Sequence, residues 1–260
     1  DPLFYEHIED IVQVALNYNQ VFGFHTKAIN ISDRLVKQIT LPSIAPLSYF
    51  SISVDAGNNE TYNKVHGVPQ SQAKLYDKVI ANIRRLVEGR CEMNAPLDIS
   101  ATYLLNPLNS STEEVLKSIH DLRETGVDLI RFTFPQVPRG YSVDTNDPNI
   151  PSHKQITEYM KRLRPLIEKE NDNRCQVLIL DLDSMHDVYQ VPRSLPCFAR
   201  YIFPSIGFDG WLSHCSESAA PHFRDLAMGN LQTQDFWEVF YNYDMDDFKR
   251  EINGACSKME

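Results

Sequence analysis

The 260-residue chain lacks most of the sequence patterns that assign a protein to a common functional class. No stretch approaches the ~20 apolar residues of a transmembrane helix, and nothing at the start resembles a signal peptide. The chain contains no glycine-rich phosphate loop, no His-Glu-x-x-His stretch and no Ser/His/Asp order. These absences argue against a membrane span and against the conventional hydrolase classes.

Positive charge and regularly spaced cysteine are also scarce. The chain has 25 Lys and Arg against 35 Asp and Glu, and its basic runs do not exceed two residues. A net charge of −10 argues against nucleic acid or an anionic membrane as the main partner. Five cysteines at irregular spacing do not form a secreted disulfide framework, so we expect a cytoplasmic protein.

Helical and extended patterns do alternate along the first 180 residues. Five strands are predicted at about residues 21–25, 49–55, 97–104, 128–134 and 176–180. Five helices are predicted: about residues 3–18, one after Ser32, residues 73–88 stopped by Gly89, one from Ser111 to Gly126, and one from Ser152 that Pro165 kinks or shortens. The alternation predicts parallel pairing in a partial or full α/β barrel, with an open doubly wound sheet as the alternative. Beyond Ser184 the pattern breaks, which predicts a barrel domain at 1–184 and an appendage at 185–260.

Polar residues mark the carboxyl ends of the predicted strands, where the chemistry of such folds is placed. Ser53 and Asp55 alternate with Val54 and can both face a ribose or another polyol; a solvated strand end is the alternative. Arg131 suits a carboxylate if it points inward, and a helix acid if it points outward. Further candidates at strand ends are Asn106, Thr133, Gln136, Asp181 and Asp183.

Cys197 and Cys215 are separated by a Cys-x12-Gly-x4-Cys spacing with Asp209-Gly210 as a hairpin turn. A tight hairpin brings two thiolates together, as a soft metal or an iron–sulfur cluster requires. The alternative is two unrelated core cysteines. A zinc site completed by Cys256 and nearby histidines also remains open.

Three further groups complete the candidates. His214 and His222 are the histidines that flank Cys215. Cys91 and Cys175 are predicted to be packing residues. The cluster Asp181-Leu-Asp183-Ser-Met-His186-Asp187 invites a metal assignment, although strand-end acids commonly serve as loop caps.

The run Tyr49–Gly67 resembles the fourth-strand segment of radical S-adenosylmethionine enzymes. The helix containing Asn82-Ile-Arg-Arg-Leu86 and the segment Thr125-Gly-Val-Asp-Leu-Ile-Arg-Phe132 follow in the same order. The cysteine hairpin is similar to the opening of the SPASM or Twitch extension of that family, which carries auxiliary iron–sulfur clusters. Gly229-Asn-Leu231 and the helix around Trp237 also fit the extension.

This resemblance implies a partial (β/α)6 barrel with a cysteine-bearing β-hairpin and helix appended. It implies S-adenosylmethionine and a [4Fe-4S] cluster as cofactors, and reductive cleavage to a 5′-deoxyadenosyl radical that abstracts a substrate hydrogen. Ser53 and Asp55 would lie near the ribose, and Leu104, Arg131 and Phe132 near the rest of the cofactor. Cys197 and Cys215, with Cys256 as a weaker candidate, would bind an auxiliary cluster. The implied partners are a peptide or protein substrate and an electron donor such as a flavodoxin or ferredoxin.

Two family elements are missing from the sequence. The family's Cys-x3-Cys-x2-Cys and its Gly-Gly-Glu do not occur, and the chain opens at Asp1-Pro2 without methionine. We therefore expect a fragment that cannot by itself generate the radical. The alternative function is a non-catalytic binding protein on a degenerate barrel, stabilised by zinc or an iron–sulfur cluster.

Overall fold

The computed structural model describes residues 1–69, 74–135, 150–180 and 199–241. These residues divide into two compact units, the first ending at residue 180 and the second covering residues 199–241. The predicted domain boundary between residues 184 and 185 lies outside the described residues. Across the described ranges, no helix has both the length and the apolar character needed to cross a membrane.

The first unit is built on a five-stranded parallel sheet whose strands pair in sequence order. Its strands are β1 (Gly23–Thr26), β2 (Tyr49–Ser53), β3 (Asp98–Leu104), β4 (Leu129–Thr133) and β5 (Gln176–Ile179). Its helices are α1 (Ile8–Asn17), α2 (Asp33–Ile39), α3 (Asn59–His66), α4 (Leu75–Met93), α5 (Thr112–Thr125) and α6 (His153–Lys169). Sequential parallel pairing confirms the predicted α/β class and the partial, unclosed barrel.

Alternating residues of each strand build the hydrophobic core together with the helices. We call this side of the sheet the outer face; its buried strand residues are Phe24, Phe50, Ile52, Ile99, Ala101, Tyr103, Ile130, Phe132 and Val177. Helices α1 to α6 all contribute buried apolar side chains to the same cluster, for example Val12, Leu35, Ile83 and Ile119. The helices therefore cover the outer face, and the opposite face, which we call the inner face, lies away from this core.

The predicted helix caps at Ser32, Ser111, Ser152 and Gly126 are present in the structure. The Ser32, Ser111 and Ser152 hydroxyls accept hydrogen bonds from the Leu35, Glu114 and Gln155 amides. Gly126 ends α5 in a left-handed conformation, with φ of 85°.

Three features of the helices differ from expectation. Gly89 does not stop α4, which runs on to Met93 and ends at the left-handed Asn94. A Cβ at Gly89 would lie 3.3 Å from the Thr40 side chain, so this glycine permits close packing instead. Pro165 lies inside α6 and does not shorten it, while the alternative of a kink stays a prediction. Both Pro165 and Lys161 are exposed, so water can solvate the carbonyl that loses its bond. Helix α3 was not predicted.

The described part of the second unit contains a small antiparallel sheet, two short α-helices and two short 3₁₀ helices. Its elements are α7 (Ala199–Ile202), β6 (Ser205–Ile206), β7 (Trp211–Ser213), β8 (Gly229–Asn230) and α8 (Phe236–Tyr241). Strands β6 and β7 form the predicted hairpin, closed by a hydrogen bond of 2.8 Å from the Gly207 amide to the Trp211 carbonyl. Gly210 adopts a φ of 80°, as the predicted Asp-Gly turn requires.

Candidate functional site

The inner face carries a row of polar side chains across three neighbouring strands. The register pairs Ser53 with Thr102, and Thr102 with Arg131. Paired residues of a parallel sheet present their side chains on the same face. Residues that the sequence separates by up to 78 positions thus lie side by side near the carboxyl ends of β2, β3 and β4.

Hydroxyl groups link this row to its neighbours. The Ser51 and Thr102 hydroxyls are 3.2 Å apart and share a hydrogen bond between β2 and β3. Arg131 Nη2 approaches Thr102 Oγ1 at 3.5 Å, which is at the outer limit of a hydrogen bond. Arg131 Nε is buried and has no hydrogen-bond partner among the residues that the structure describes. The inner face therefore combines neutral hydroxyls with one poorly satisfied guanidinium.

Asp55 lies just past β2 and ties the ends of two strands together. Its backbone is left-handed, with φ of 52°, and the residue is 7% exposed. Asp55 Oδ1 accepts a hydrogen bond of 2.6 Å from the Leu104 amide at the end of β3. The Asn109 side-chain amide donates to the carbonyl oxygens of Asp55 and Leu104, at 2.9 and 3.0 Å. This network fixes the loop that follows Ser53.

A buried polar cluster formed by Asp55, His66 and Tyr62 lies next to that loop. His66 Nε2 is 3.7 Å from Asp55 Oδ2, and the rings of His66 and Tyr62 have centroids 4.3 Å apart. Among the described residues, neither His66 Nε2 nor the Tyr62 hydroxyl has a hydrogen-bond partner. The cluster thus brings two side chains of α3 next to Asp55, which follows the end of β2.

Burial controls the ionisation of this cluster. It raises the pKa of Asp55 to about 6, against opposing effects of the Leu104 amide and the positive charge of Lys27. It lowers the pKa of His66 to about 4, and the charge of Lys27 acts in the same direction. Burial also raises the pKa of Tyr62, with the charge of Asp55 as the second cause. At neutral pH we therefore expect an ionised Asp55 beside a neutral His66.

Helix α5 holds the β2–α3 loop from the other side. Glu114 Oε1 accepts a hydrogen bond of 2.6 Å from the Gly57 amide, and Oε2 accepts one of 2.6 Å from the Asn58 side chain. A Cβ at Gly57 would lie 2.5 Å from the Glu114 carbonyl oxygen, so only glycine allows this approach. The loop bearing Asp55 is consequently clamped between β3 and α5.

The predicted cofactor residues occupy two different environments. Ser53 and Arg131 lie in the inner-face row. Leu104 pairs with Thr133, two residues further along β3 and β4 towards their carboxyl ends. Phe132 is fully buried in the outer-face core, so any contact it makes with an inner-face ligand runs through its backbone. Asn106 is also buried, and its side chain bonds within its own loop.

Several residues of the site were not predicted from the sequence. Thr102 lies inside the pattern of β3, where the alternation of apolar residues at 99, 101 and 103 already places it on the other face. Tyr62 and His66 belong to α3, whose signals are the cap at Asn58 and the left-handed Gly67. Asn109 has no comparable pattern, because its role depends on the loop that brings it back to Asp55.

The predicted cysteine ligands are only partly within the described residues. Cys215 follows β7 and is half-buried, with its Sγ 3.6 Å from the Ser218 hydroxyl. Cys197 and Cys256 lie outside the described residues, as do Gln136 and the Asp181–Asp187 cluster. Within the described ranges, no group of three or more His, Cys, Asp or Glu side chains is arranged to hold a metal ion.

The two cysteines predicted to be packing residues differ from each other. Cys175 is buried, as predicted, and burial raises the pKa of its thiol to about 11. Cys91 is exposed, so its assignment as a packing residue was wrong. It lies in α4 on the solvent side of a helix that continues past Gly89.

Comparison with protein-family models and with curated proteins finds no match. Solved structures do match over nearly the whole chain. Streptococcus suis SuiB bound to precursor peptide SuiA gives a TM-score of 0.62 at 15% identity, covering 93% of this chain and 52% of SuiB. SuiB bound to S-adenosylmethionine gives 0.58 at 14% identity, with 93% and 52% coverage. Native anSMEcpe with bound AdoMet and Kp18Cys peptide gives 0.55 at 16% identity, with 94% and 65% coverage.

These similarities concern the fold, since all three identities are below 25%. The chain spans about half the length of SuiB and just under two thirds of anSMEcpe. It therefore has the fold of part of SuiB and anSMEcpe, two proteins whose structures hold S-adenosylmethionine and a peptide.

Proposed function

We propose that this chain is a portion of a radical S-adenosylmethionine enzyme that abstracts hydrogen from a peptide or protein substrate. The observation that carries the proposal is the chain-long similarity to SuiB and anSMEcpe, which are radical S-adenosylmethionine enzymes. The sequence resemblance, found independently in Tyr49–Gly67 and 125–132, points to the same family.

The inner face has groups that suit S-adenosylmethionine. Ser53 offers a hydroxyl for the ribose, at the carboxyl end of β2 where ligands of such folds bind. Asp55 holds the adjoining loop in place through Leu104, and the unpartnered Arg131 Nε is a donor that a bound ligand can satisfy. Leu104 and the backbone of Phe132 would complete the wall of the cofactor site. When bound and reductively cleaved, S-adenosylmethionine supplies the 5′-deoxyadenosyl radical.

The iron–sulfur clusters are a separate part of the proposal. Cys197, Cys215 and Cys256 are proposed ligands of an auxiliary [4Fe-4S] cluster, but the described residues contain only Cys215 and thus do not provide a cluster site. The sequence also lacks the Cys-x3-Cys-x2-Cys that would hold the radical-generating cluster. We accordingly propose that the 260 residues alone bind the cofactor without cleaving it. A flavodoxin or ferredoxin is the proposed electron donor of the enzyme.

Equilibrium dialysis with radiolabelled S-adenosylmethionine tests the proposal on the purified chain. We expect saturable binding that Ser53→Ala weakens about tenfold, because a hydrogen bond to the ribose is lost. Ser43→Ala is the matched control, since Ser43 is an exposed hydroxyl. Binding that is absent, or equally strong in both variants, would contradict the proposed site.

Metal analysis then separates the proposal from a zinc-stabilised binding protein. After anaerobic reconstitution with iron and sulfide, we expect iron and labile sulfide that are lost with Cys197→Ala and Cys215→Ala. Stoichiometric zinc in the protein as isolated, with no S-adenosylmethionine binding, favours the non-catalytic alternative.

A further inference from the structure

Among the described residues, Arg131 and Arg162 are the half-buried arginines without an acidic partner. Arg162 nevertheless donates hydrogen bonds to the Ser110 carbonyl oxygen and the Thr112 hydroxyl, at 2.9 and 3.1 Å. Four arginines form ion pairs with aspartates: Arg85 with Asp33, Arg90 with Asp128, Arg123 with Asp172 and Arg224 with Asp209. Among the described residues, no carboxylate lies within ion-pair distance of Arg131, and its contact with Thr102 is long. The protein therefore provides acceptors for these guanidinium groups, whereas Arg131 lacks comparable acceptors among the described residues.

An unsatisfied guanidinium is costly on a partly buried surface. A charged donor that loses water without gaining an acceptor destabilises the folded protein. Arg131 Nε is fully removed from solvent, whereas the hydroxyls around it are neutral. This arrangement is favourable once an anion binds on the inner face, because the anion supplies both the missing charge and the missing acceptors.

The chemistry of the surroundings indicates which anion fits. A guanidinium donates two parallel hydrogen bonds to a carboxylate, and one positive charge neutralises a monoanion. The inner-face row offers hydroxyls, but the residues paired with Arg131 are Thr102 and Leu178, neither of which adds positive charge. A phosphate group with nearly two negative charges would be under-neutralised here.

We propose that Arg131 is a carboxylate-binding residue that anchors an acidic group of the ligand on the inner face. Arg131 lies two strands from Ser53 in the same row, which corresponds to roughly 10 Å at the usual strand spacing. A ribose held at Ser53 and a carboxylate held at Arg131 thus fit side by side. The carboxylate belongs either to the methionine part of the cofactor or to an acidic residue of the peptide. This inference rests on the proposed function for the identity of these two ligands.

Arginine side-chain NMR tests the contact directly. In protein labelled with ¹⁵N-arginine, the Nε–H signal of Arg131 is the one that disappears in Arg131→Lys. Two ligand pairs differ only in the carboxylate: S-adenosylmethionine with its decarboxylated analogue, and acetyl-Ala-Glu-Ala-amide with acetyl-Ala-Gln-Ala-amide. We expect a saturable shift of the Arg131 signal with the carboxylate-bearing member of at least one pair, and no such shift with its partner.

Binding to variants gives the second measurement. Arg131→Gln should weaken the carboxylate-bearing ligand about tenfold and leave the affinity for the matched ligand without the carboxylate unchanged. Arg84→Gln is the control, since Arg84 is exposed on α4, and thermal unfolding of each variant verifies folding. An effect confined to the S-adenosylmethionine pair assigns the carboxylate to the cofactor, and one confined to the peptide pair assigns it to the substrate.

The outcomes separate this inference from the proposed function. A shift with the acidic peptide but no S-adenosylmethionine binding supports carboxylate recognition and contradicts the cofactor proposal. Saturable S-adenosylmethionine binding with an unmoved Arg131 signal, and equal affinity in Arg131→Gln, overturns the carboxylate inference alone. An Arg131 signal that stays unmoved by all four ligands at millimolar concentration also overturns it.

Discussion

The two faces of the five-stranded sheet are made by the same strands and differ in the polarity of their side chains and in their packing against the helices. On the outer face, alternate residues such as Phe50, Ile52 and Phe132 are fully buried against the helices. On the inner face, the residues between them include Ser53, Thr102 and Arg131. Alternate residues of the strands therefore pack into the core on one face and provide polar groups on the other, where we propose that the cofactor binds.

The difference also concerns how completely polar atoms are satisfied. Among the described residues, Arg131 Nε is a buried atom of the inner face without a hydrogen-bond partner, and buried atoms of the helices without one include His66 Nε2, the Tyr62 hydroxyl, Gln38 Oε1 and the Ser118 hydroxyl. Buried polar groups normally find partners, and Arg131 carries a formal charge, so its unpartnered Nε is the feature of the inner face on which the proposed ligand contact depends. Substitutions on the two faces should accordingly have different consequences.

The largest effect is expected on the outer face. Phe132→Ala should reduce the free energy of unfolding by about 3–5 kcal/mol, because it leaves a cavity in the core. Phe132→Leu, which retains most of the volume, should cost less. Urea unfolding monitored by circular dichroism gives both values, and a change below about 1 kcal/mol for Phe132→Ala would contradict the assignment of this face as the core.

The second effect concerns how the free energy of unfolding depends on pH, through two contributions that oppose each other in the wild-type chain. The raised pKa of Asp55 makes the folded state less stable as the pH rises from about 4 to 6. The lowered pKa of His66 makes the folded state more stable as the pH rises from about 4 to 6.5. These two contributions have opposite signs over nearly the same range, so they largely cancel.

Single substitutions should expose each contribution. Relative to wild type, His66→Gln should become less stable on going from pH 4 to 6, and Asp55→Asn should become more stable, each by on the order of 3 kcal/mol. Urea unfolding of the three proteins at several pH values measures the difference. Parallel pH profiles for all three would show that Asp55 and His66 are not titrating as a buried cluster.

A smaller effect is expected from Glu114, which holds the β2–α3 loop by two hydrogen bonds. Glu114→Ala removes the acceptors of the Gly57 amide and the Asn58 side chain, which should cost about 1–3 kcal/mol. Glu113→Ala is the matched control on the exposed side of the same helix. Equal unfolding free energies for the two variants would show that Glu114 does not hold the loop.

The smallest effect is expected at Tyr62. Tyr62→Phe removes a buried hydroxyl that has no partner, so stability should be unchanged or rise by up to about 1 kcal/mol. A loss of more than about 1 kcal/mol on thermal or urea unfolding would reveal a hydrogen bond at this hydroxyl, such as one to an ordered water.

Much of the fold was predictable because it depends on local patterns. The five strands and the caps at Ser32, Ser111 and Ser152 follow from apolar alternation and from hydroxyls preceding helical segments. Gly89 was wrongly predicted to end its helix because close packing against Thr40, rather than helix termination, explains the glycine. Pro165 does not shorten α6, since its exposed position lets water solvate the carbonyl that loses its bond. Helix α3 was missed because it buries little apart from Tyr62 and Asn63, so it lacks an apolar stripe.

The site was less predictable because its residues are distant in sequence and come together only through the pairing register of the strands. The sequence indicated that Ser53 lies at a strand end. It also indicated that Arg131 faces either inward or outward, without deciding between the two. The residues placed beside Arg131, Thr102 and Leu178, depend on how β3, β4 and β5 align. The approach of His66 to Asp55 likewise depends on α3 folding back under β2.

A crystal structure of the chain with S-adenosylmethionine is the most direct test of the central claim that the inner face binds the cofactor. We predict ligand density along the carboxyl ends of β2 to β4, with a ribose hydroxyl within hydrogen-bond distance of Ser53 Oγ. Crystals grown at a saturating concentration that show no density there, or place the ligand on the outer face or on the second unit, would contradict the claim.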